Sequence, residues 1–150
     1  MTYINVNNKN FFKKTILVNN TTERQDLTDS FTDTVGSLIT YTPEAYANNI
    51  LYEYVTSWVY KDATSKLIFK LLEYNTGTSS WDTVVGSYLT VKSKKSGSGQ
   101  INFRYIFNNV NSQKQIKLQC KEESSSAEGY LHANEDNDRF YNPYVTCSSI

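Results

Sequence analysis

His132 is the single histidine of the chain, set in Tyr130-Leu131-His132-Ala133-Asn134. A nucleophilic triad needs such an imidazole beside a Ser or Cys and an orienting carboxylate. Cys120 and Cys147 carry thiols, and Glu135 and Asp136 carry carboxylates nearby in sequence. A solitary histidine at a strand end is more often a hydrogen-bonded or solvent-facing residue, so no catalytic residue is assigned and no enzyme is expected. Two cysteines and one histidine at wide separation also fall short of a closed four-ligand zinc site. The densest run of oxygen ligands is Asn134-Glu135-Asp136-Asn137-Asp138. It lacks the glycine and the distant bidentate Glu of a calcium-binding EF-hand loop. The run reads as a solvated loop, and neither metal nor cofactor is expected.

Two lysine clusters and two aromatic pairs complete the candidate chemistry. Lys92, Lys94 and Lys95 precede Ser96-Gly97-Ser98-Gly99, and Lys13-Lys14 follow Phe11-Phe12. No phosphate-cradling glycine motif accompanies either, so they read as hairpin chemistry and a charged edge that discourages wrong strand pairing. Fifteen basic and fifteen acidic residues cancel, leaving no global field to attract nucleic acid or an anionic membrane. Trp81-Asp82 and Phe140-Tyr141-Asn142-Pro143-Tyr144 set flat rings beside amides and carboxylates. A ring face under a pyranose, with side-chain amides or carboxylates on its hydroxyls, is a common way to hold a sugar. Trp81, Asp82, Tyr141 and Asn142 are therefore the glycan-binding candidates. The alternative is that these rings close one end of the fold or pack on a neighbouring subunit.

The elements that must position these groups are strands. Ile50–Tyr60, Lys66–Tyr74 and Ile101–Phe107 place apolar or aromatic residues at almost every second position, the period of a half-buried strand. Twelve Tyr, seven Phe and two Trp suit pleated sheets, while abundant Asn, Ser and Thr suit turns. Further strands are predicted at Thr15–Val18, Thr32–Tyr41 around Gly36, Trp81–Val85, Ser87–Lys94, Gln115–Cys120, Gly129–Ala133 and Tyr144–Cys147. Asn75-Thr76-Gly77-Thr78, Ser96-Gly97-Ser98-Gly99 and Asn108-Asn109-Val110-Asn111 read as turns. Glu44 to Asn49 is the one place where a helical turn is tolerated. About 8–10 short strands without intervening helices give an all-β class: a jelly-roll-like antiparallel β-sandwich.

With 150 residues the chain has the size of one domain. Residues 15–150 are read as a single sandwich, and residues 1–14, rich in Asn and Lys, as a polar leader that serves as an anchor. No secretory signal is read in that leader, and no apolar stretch reaches the ~20 residues that span a bilayer, so membrane insertion is not expected. Cys120 and Cys147 are either a disulfide between neighbouring strands or two buried thiols. The first long strand looks sticky on both sides, with Ile50, Tyr52, Tyr54, Trp58 and Tyr60 on one face and Leu51, Val55 and Val59 on the other. This surplus predicts self-association.

The order of segments resembles the small trimeric jelly-roll head domains, similar to the tumour necrosis factor and C1q fold, on fibres and spikes of phages and large aquatic DNA viruses. The residues that carry it run from Asp26-Leu27-Thr28 to Leu38-Ile39-Thr40-Tyr41-Thr42-Pro43. A long strand Asn49-Ile50-Leu51-Tyr52-Glu53-Tyr54 and then Leu67-Ile68-Phe69-Lys70-Leu71 follow. An aromatic strand Phe103-Arg104-Tyr105-Ile106-Phe107 and a terminal Tyr144-Val145-Thr146-Cys147 complete it. One departure is the ending Ser148-Ser149-Ile150, where such strands often finish with an acidic and an apolar residue.

The resemblance implies a virion structural protein at the particle surface: a homotrimer forming or capping a spike or fibre. Other virion proteins would hold it through the leader, and a host glycan is a further partner. Its trimer interface is expected at Tyr52, Tyr54, Trp58, Phe103, Tyr105 and Phe107. The alternatives are a minor capsid or cement protein between capsomers, and a monomeric carbohydrate-binding module.

Overall fold

The computed structural model describes residues 5–6, 9–10, 14–20, 23–45, 47–60, 64–94, 96–124, 128–133 and 141–150. Most of the leader and the acidic run 134–138 lie outside the described residues. Two minimal strands, β1 (Asn5–Val6) and β2 (Lys9–Asn10), pair only with each other. The sandwich follows with β3 (Lys14–Val18), β4 (Gln25–Asp26), β5 (Thr32–Asp33), β6 (Ile39–Tyr41), β7 (Asn49–Tyr60) and β8 (Lys66–Asn75). It is completed by β9 (Ser80–Thr83), β10 (Leu89–Lys92), β11 (Ser98–Asn108), β12 (Lys114–Glu122), β13 (Gly129–Leu131) and β14 (Tyr144–Ser149). Every pairing is antiparallel, and the described residues contain no helix. The protein is a jelly-roll-like antiparallel β-sandwich, as its alternation predicts.

Each sheet is built on one long pair. In the first sheet β7 pairs with β11 from Asn49↔Asn108 to Val59↔Ser98. The other edge of β7 is shared: β14 takes Ile50–Val55 and β13 takes Trp58–Tyr60. Beyond them β3 flanks β14 and β4 flanks β13. In the second sheet β8 pairs with β12. β10 and β9 share the far edge of β8, while β5 and β6 share the far edge of β12.

The two inner faces meet in one core. Ile50, Tyr52, Tyr54, Trp58, Tyr60, Ile101, Phe103, Phe107, Val145 and Cys147 come from the first sheet. Leu67, Phe69, Leu71, Ile116, Leu118 and Cys120 answer them from the second. Stacked sheets stand ~10 Å apart, a gap a tyrosine ring can span. The Tyr52 hydroxyl donates to Ser37 O and the Tyr54 hydroxyl to Val35 O, each at 2.7 Å, in the connection between β5 and β6. Tyr41 Oη lies 2.7 Å from Ser149 Oγ. These tyrosines fill the interior and also bond buried polar groups, which apolar rings could not do.

This arrangement corrects the predicted trimer interface. Tyr52, Tyr54, Trp58, Phe103 and Phe107 lie buried within their own chain. Tyr105 packs beside them, its ring centroid 5.0 Å from that of Phe107. The alternation marks a buried face correctly, but a second sheet of the same chain covers that face, so no neighbouring copy is needed. The cysteines resolve in favour of two free thiols, one per sheet and both buried. Desolvation pushes them up, to about 11 for Cys120 and about 12 for Cys147, so both are neutral and act as small apolar groups.

Two further differences have local causes. Ser98 and Gly99, expected in a turn, belong to β11. Gly99 sits opposite Trp58, and a Cβ there would fall 3.0 Å from the indole Nε1, so the glycine seats the ring within the strand pair. Glu44 to Asn49 contributes only a single turn, with Ala47 N bonding Glu44 O at 2.9 Å, before β7 begins. Gly36 does mark the turn between β5 and β6, at φ 72°, where a Cβ would meet Asn19 and Pro143 at 2.9 Å.

Candidate functional site

The shared edge of β7 creates an open groove. Between the end of β14 pairing at Val55 and the start of β13 pairing at Trp58, neither strand pairs with Thr56 and Ser57 on that edge, while β11 pairs with both on the other. His132 stands at this gap with a φ of 66°, and Tyr141 lies beside it. His132 N donates to Ser57 O at 3.1 Å, and Tyr141 N donates to His132 O at 2.9 Å. An open groove of about 530 Å³ results, walled by Val55, Ser57 and Trp58 of β7 and by Ser98, Gly99 and Gln100 of β11. Ala133, Tyr141, Asn142 and Tyr144 close its other side.

Its chemistry is rings, amides and hydroxyls, with no charged side chain among the described lining residues. Tyr141 is 51% exposed, while Asn142 Nδ2 reaches Asn20 Oδ1 at 3.3 Å. Neutral, amphipathic walls of this kind suit an uncharged polyhydroxylated ligand.

His132 stands behind this groove as a post. It is fully buried, with Nδ1 2.6 Å from Thr56 Oγ1. Burial pushes its pKa down to about 4, so the ring is neutral at pH 7. Nε2 has no hydrogen-bond partner among the described residues. An imidazole with no exposed surface cannot meet a substrate in this conformation.

The four glycan candidates divide between two places. Tyr141 and Asn142 line the groove of the first sheet. Trp81 and Asp82 belong to β9 in the second sheet. The Trp81 ring meets Tyr74 edge-on at 5.3 Å and carries Lys117 Nζ 4.4 Å from its centroid. Asp82 accepts hydrogen bonds from Asn75 Nδ2 at 2.8 Å and Ser80 Oγ at 3.4 Å. The structure therefore does not combine the two pairs. Sequence reasoning missed Gln100, Ser57 and Tyr144 as groove walls, and it assigned Trp58 elsewhere. Their meeting depends on how β13 and β14 divide one edge of β7, which no local pattern announces.

No family model matches the chain. No curated protein matches it in sequence either. Among solved structures, Eiger TNF from S. frugiperda is similar with a TM-score of 0.41 and 8% identity, over 80% of this chain and 89% of that one. The T13 IBDV viral particle gives 0.47 and 10% identity, over 92% of this chain but 35% of that one. The infectious bursal disease virus VP2 subviral particle gives 0.38 and 13%, over 93% and 37%. At such scores the fold rests on the strand pairing itself, and this chain spans about a third of the viral chains. No helix among the described residues is long and apolar enough to cross a membrane.

Proposed function

We propose that the chain is a structural jelly-roll of a virus particle, a homotrimer that forms or caps a surface spike or fibre and is anchored through its leader. The virion setting, the threefold number and the role of the leader come from the resemblance in segment order. Self-association is supported by one observation, the outward face of the first sheet. There Ile16, Thr146, Glu53 and Arg104 form one cross-strand row, and Val18, Tyr144, Val55 and Asn102 the next. Leu51 and Ile106 pair in the row on the other side.

Ile16, Val18 and Ile106 are 55%, 61% and 48% exposed, and Tyr144 is 39%. In their midst Arg104 Nε meets Glu53 Oε1 at 2.9 Å, and Thr146 Oγ1 donates to Glu53 Oε2 at 3.3 Å. An apolar frame around an internally satisfied charge pair has the make-up of a protein interface. Covering it releases about 25 cal/mol for each Å² of apolar surface. Mass photometry on the purified chain is expected to give about three times 17.2 kDa. A single species at the monomer mass would exclude the trimer.

A second reading, a monomeric carbohydrate-binding module, is favoured by the groove at Trp58 and Tyr141, whose described walls are rings, amides and hydroxyls. Titration with neutral oligosaccharides tests it. Binding lost in Tyr141→Ala, by a chain that stays monomeric, would support this module over the spike.

A further inference from the structure

The outward face of the second sheet carries charge that the net balance of the sequence conceals. The register fixes its layout. Lys92 of β10 stands opposite Lys66 of β8, and Ile68 of β8 opposite Lys121 of β12. Lys70 stands opposite Gln119, and Leu72 opposite Lys117. Among the described residues two of these lysines are paired with carboxylates: Glu123 meets Lys66 at 2.5 Å, and Asp33 meets Lys117 at 2.6 Å. Lys70, Lys92 and Lys121 have no carboxylate partner among the described residues. Among the residues of this register, five lysines and two paired carboxylates leave three lysine charges unbalanced on one face of a chain whose total is zero.

The rings on this face hold the lysines in place. Lys70 and Lys121 bring their ammonium groups 4.3 and 5.3 Å from the Phe31 centroid, and Lys117 lies 4.4 Å from that of Trp81. Cation–π contact keeps long stems flat on the sheet and lowers the entropy lost when an anion binds. It also occupies the ring faces on which a nucleobase would stack. The described arginines, Arg24 and Arg104, stand with the first sheet, beside Tyr130 and Glu53. What remains is a grid of ammonium point charges with strand-spacing separations. That suits closely spaced sulfates better than bases or paired carboxylates.

We infer that this face binds a sulfated polysaccharide, with Lys70, Lys92 and Lys121 as its main contacts and Lys66 and Lys117 in support. This site is separate from the groove and from the apolar face of the first sheet, and it does not depend on the oligomeric state. The test is binding of the full chain to a heparin oligosaccharide across a salt series, with single-stranded DNA of equal charge alongside. The logarithm of the affinity is expected to fall linearly with the logarithm of salt concentration. The variant Lys70→Gln/Lys92→Gln/Lys121→Gln is expected to lose on the order of a hundredfold, about a factor of five per lysine. Lys14→Gln, on the first sheet, should bind as wild type. Absence of heparin binding at low salt would overturn the inference. So would equal loss in Lys14→Gln, and tighter binding of DNA would reassign the face to nucleic acid. The mass of each variant, measured in parallel, separates failure of this site from failure of the trimer.

Discussion

The tyrosines divide their work between ring and hydroxyl, and this explains why the interior of the sandwich contains so many of them. Tyr52 spans from β7 to the Ser37 carbonyl, and Tyr54 to the Val35 carbonyl. Burial raises both phenols well above their ordinary range, so they remain donors at any ordinary pH. Tyr52→Phe should keep the packing and leave Ser37 O short of a bond, costing about 1 kcal/mol in urea unfolding. Two buried titratable groups set the pH response with opposite signs. The His132 ring, neutral in the fold down to about 4, takes up a proton near 6.5 once unfolded. Its contribution is complete above the unfolded value and is lost as pH falls through about 4, on the order of 3 kcal/mol. Glu122 is buried, with Oε2 unpartnered among the described residues, and desolvation followed by the nearby Asp29 charge raises it from 4.5 to about 7. Its contribution is present below the unfolded value and is lost as pH rises through about 7. Glu122→Gln should therefore melt higher than wild type at pH 8, with the gain shrinking by pH 5. Thermal melts at the two pH values check it, and an equal shift at both would contradict the assignment.

At the level of elements, the long strands were legible, whereas their pairing and the partition of their edges were not. Period-two alternation in β7, β8 and β11 reports a buried face directly, because side chains on one strand face the same environment. It cannot report what buries that face, and so Tyr52, Tyr54 and Phe103 were assigned to a neighbouring copy when their own second sheet covers them. The groove was half legible. Tyr141 and Asn142 stand out as ring and amide, whereas Trp58, Ser57 and Gln100 join them only because β13 and β14 each take part of one edge of β7. Trp81 and Asp82 have the same composition but are spent on a hairpin and a lysine. Gly99 supplies a test of the β7–β11 pair. A side chain there would press on the Trp58 indole, and Gly99→Val should destabilise the fold by about 1–3 kcal/mol, the usual cost of overpacking. A variant as stable as wild type in denaturant would show that the indole has room to move.

For the whole molecule, the two outward faces differ in kind although they enclose one core. The first sheet presents Ile16, Val18, Tyr144 and Ile106 around a closed Glu53–Arg104 pair, and the second presents lysines laid over rings. A zero net charge in the sequence hides the second, because the sum discards position. Apolar burial, at tens of cal/mol per Å², favours assembly through the first face, while like charges on the second oppose close packing of copies there. Sedimentation equilibrium of the wild-type chain beside Ile16→Lys/Ile106→Lys tests this division most directly. About three times 17.2 kDa is expected for wild type and 17.2 kDa for the variant, which stays folded. A monomeric wild type, or a variant that still assembles, would contradict it.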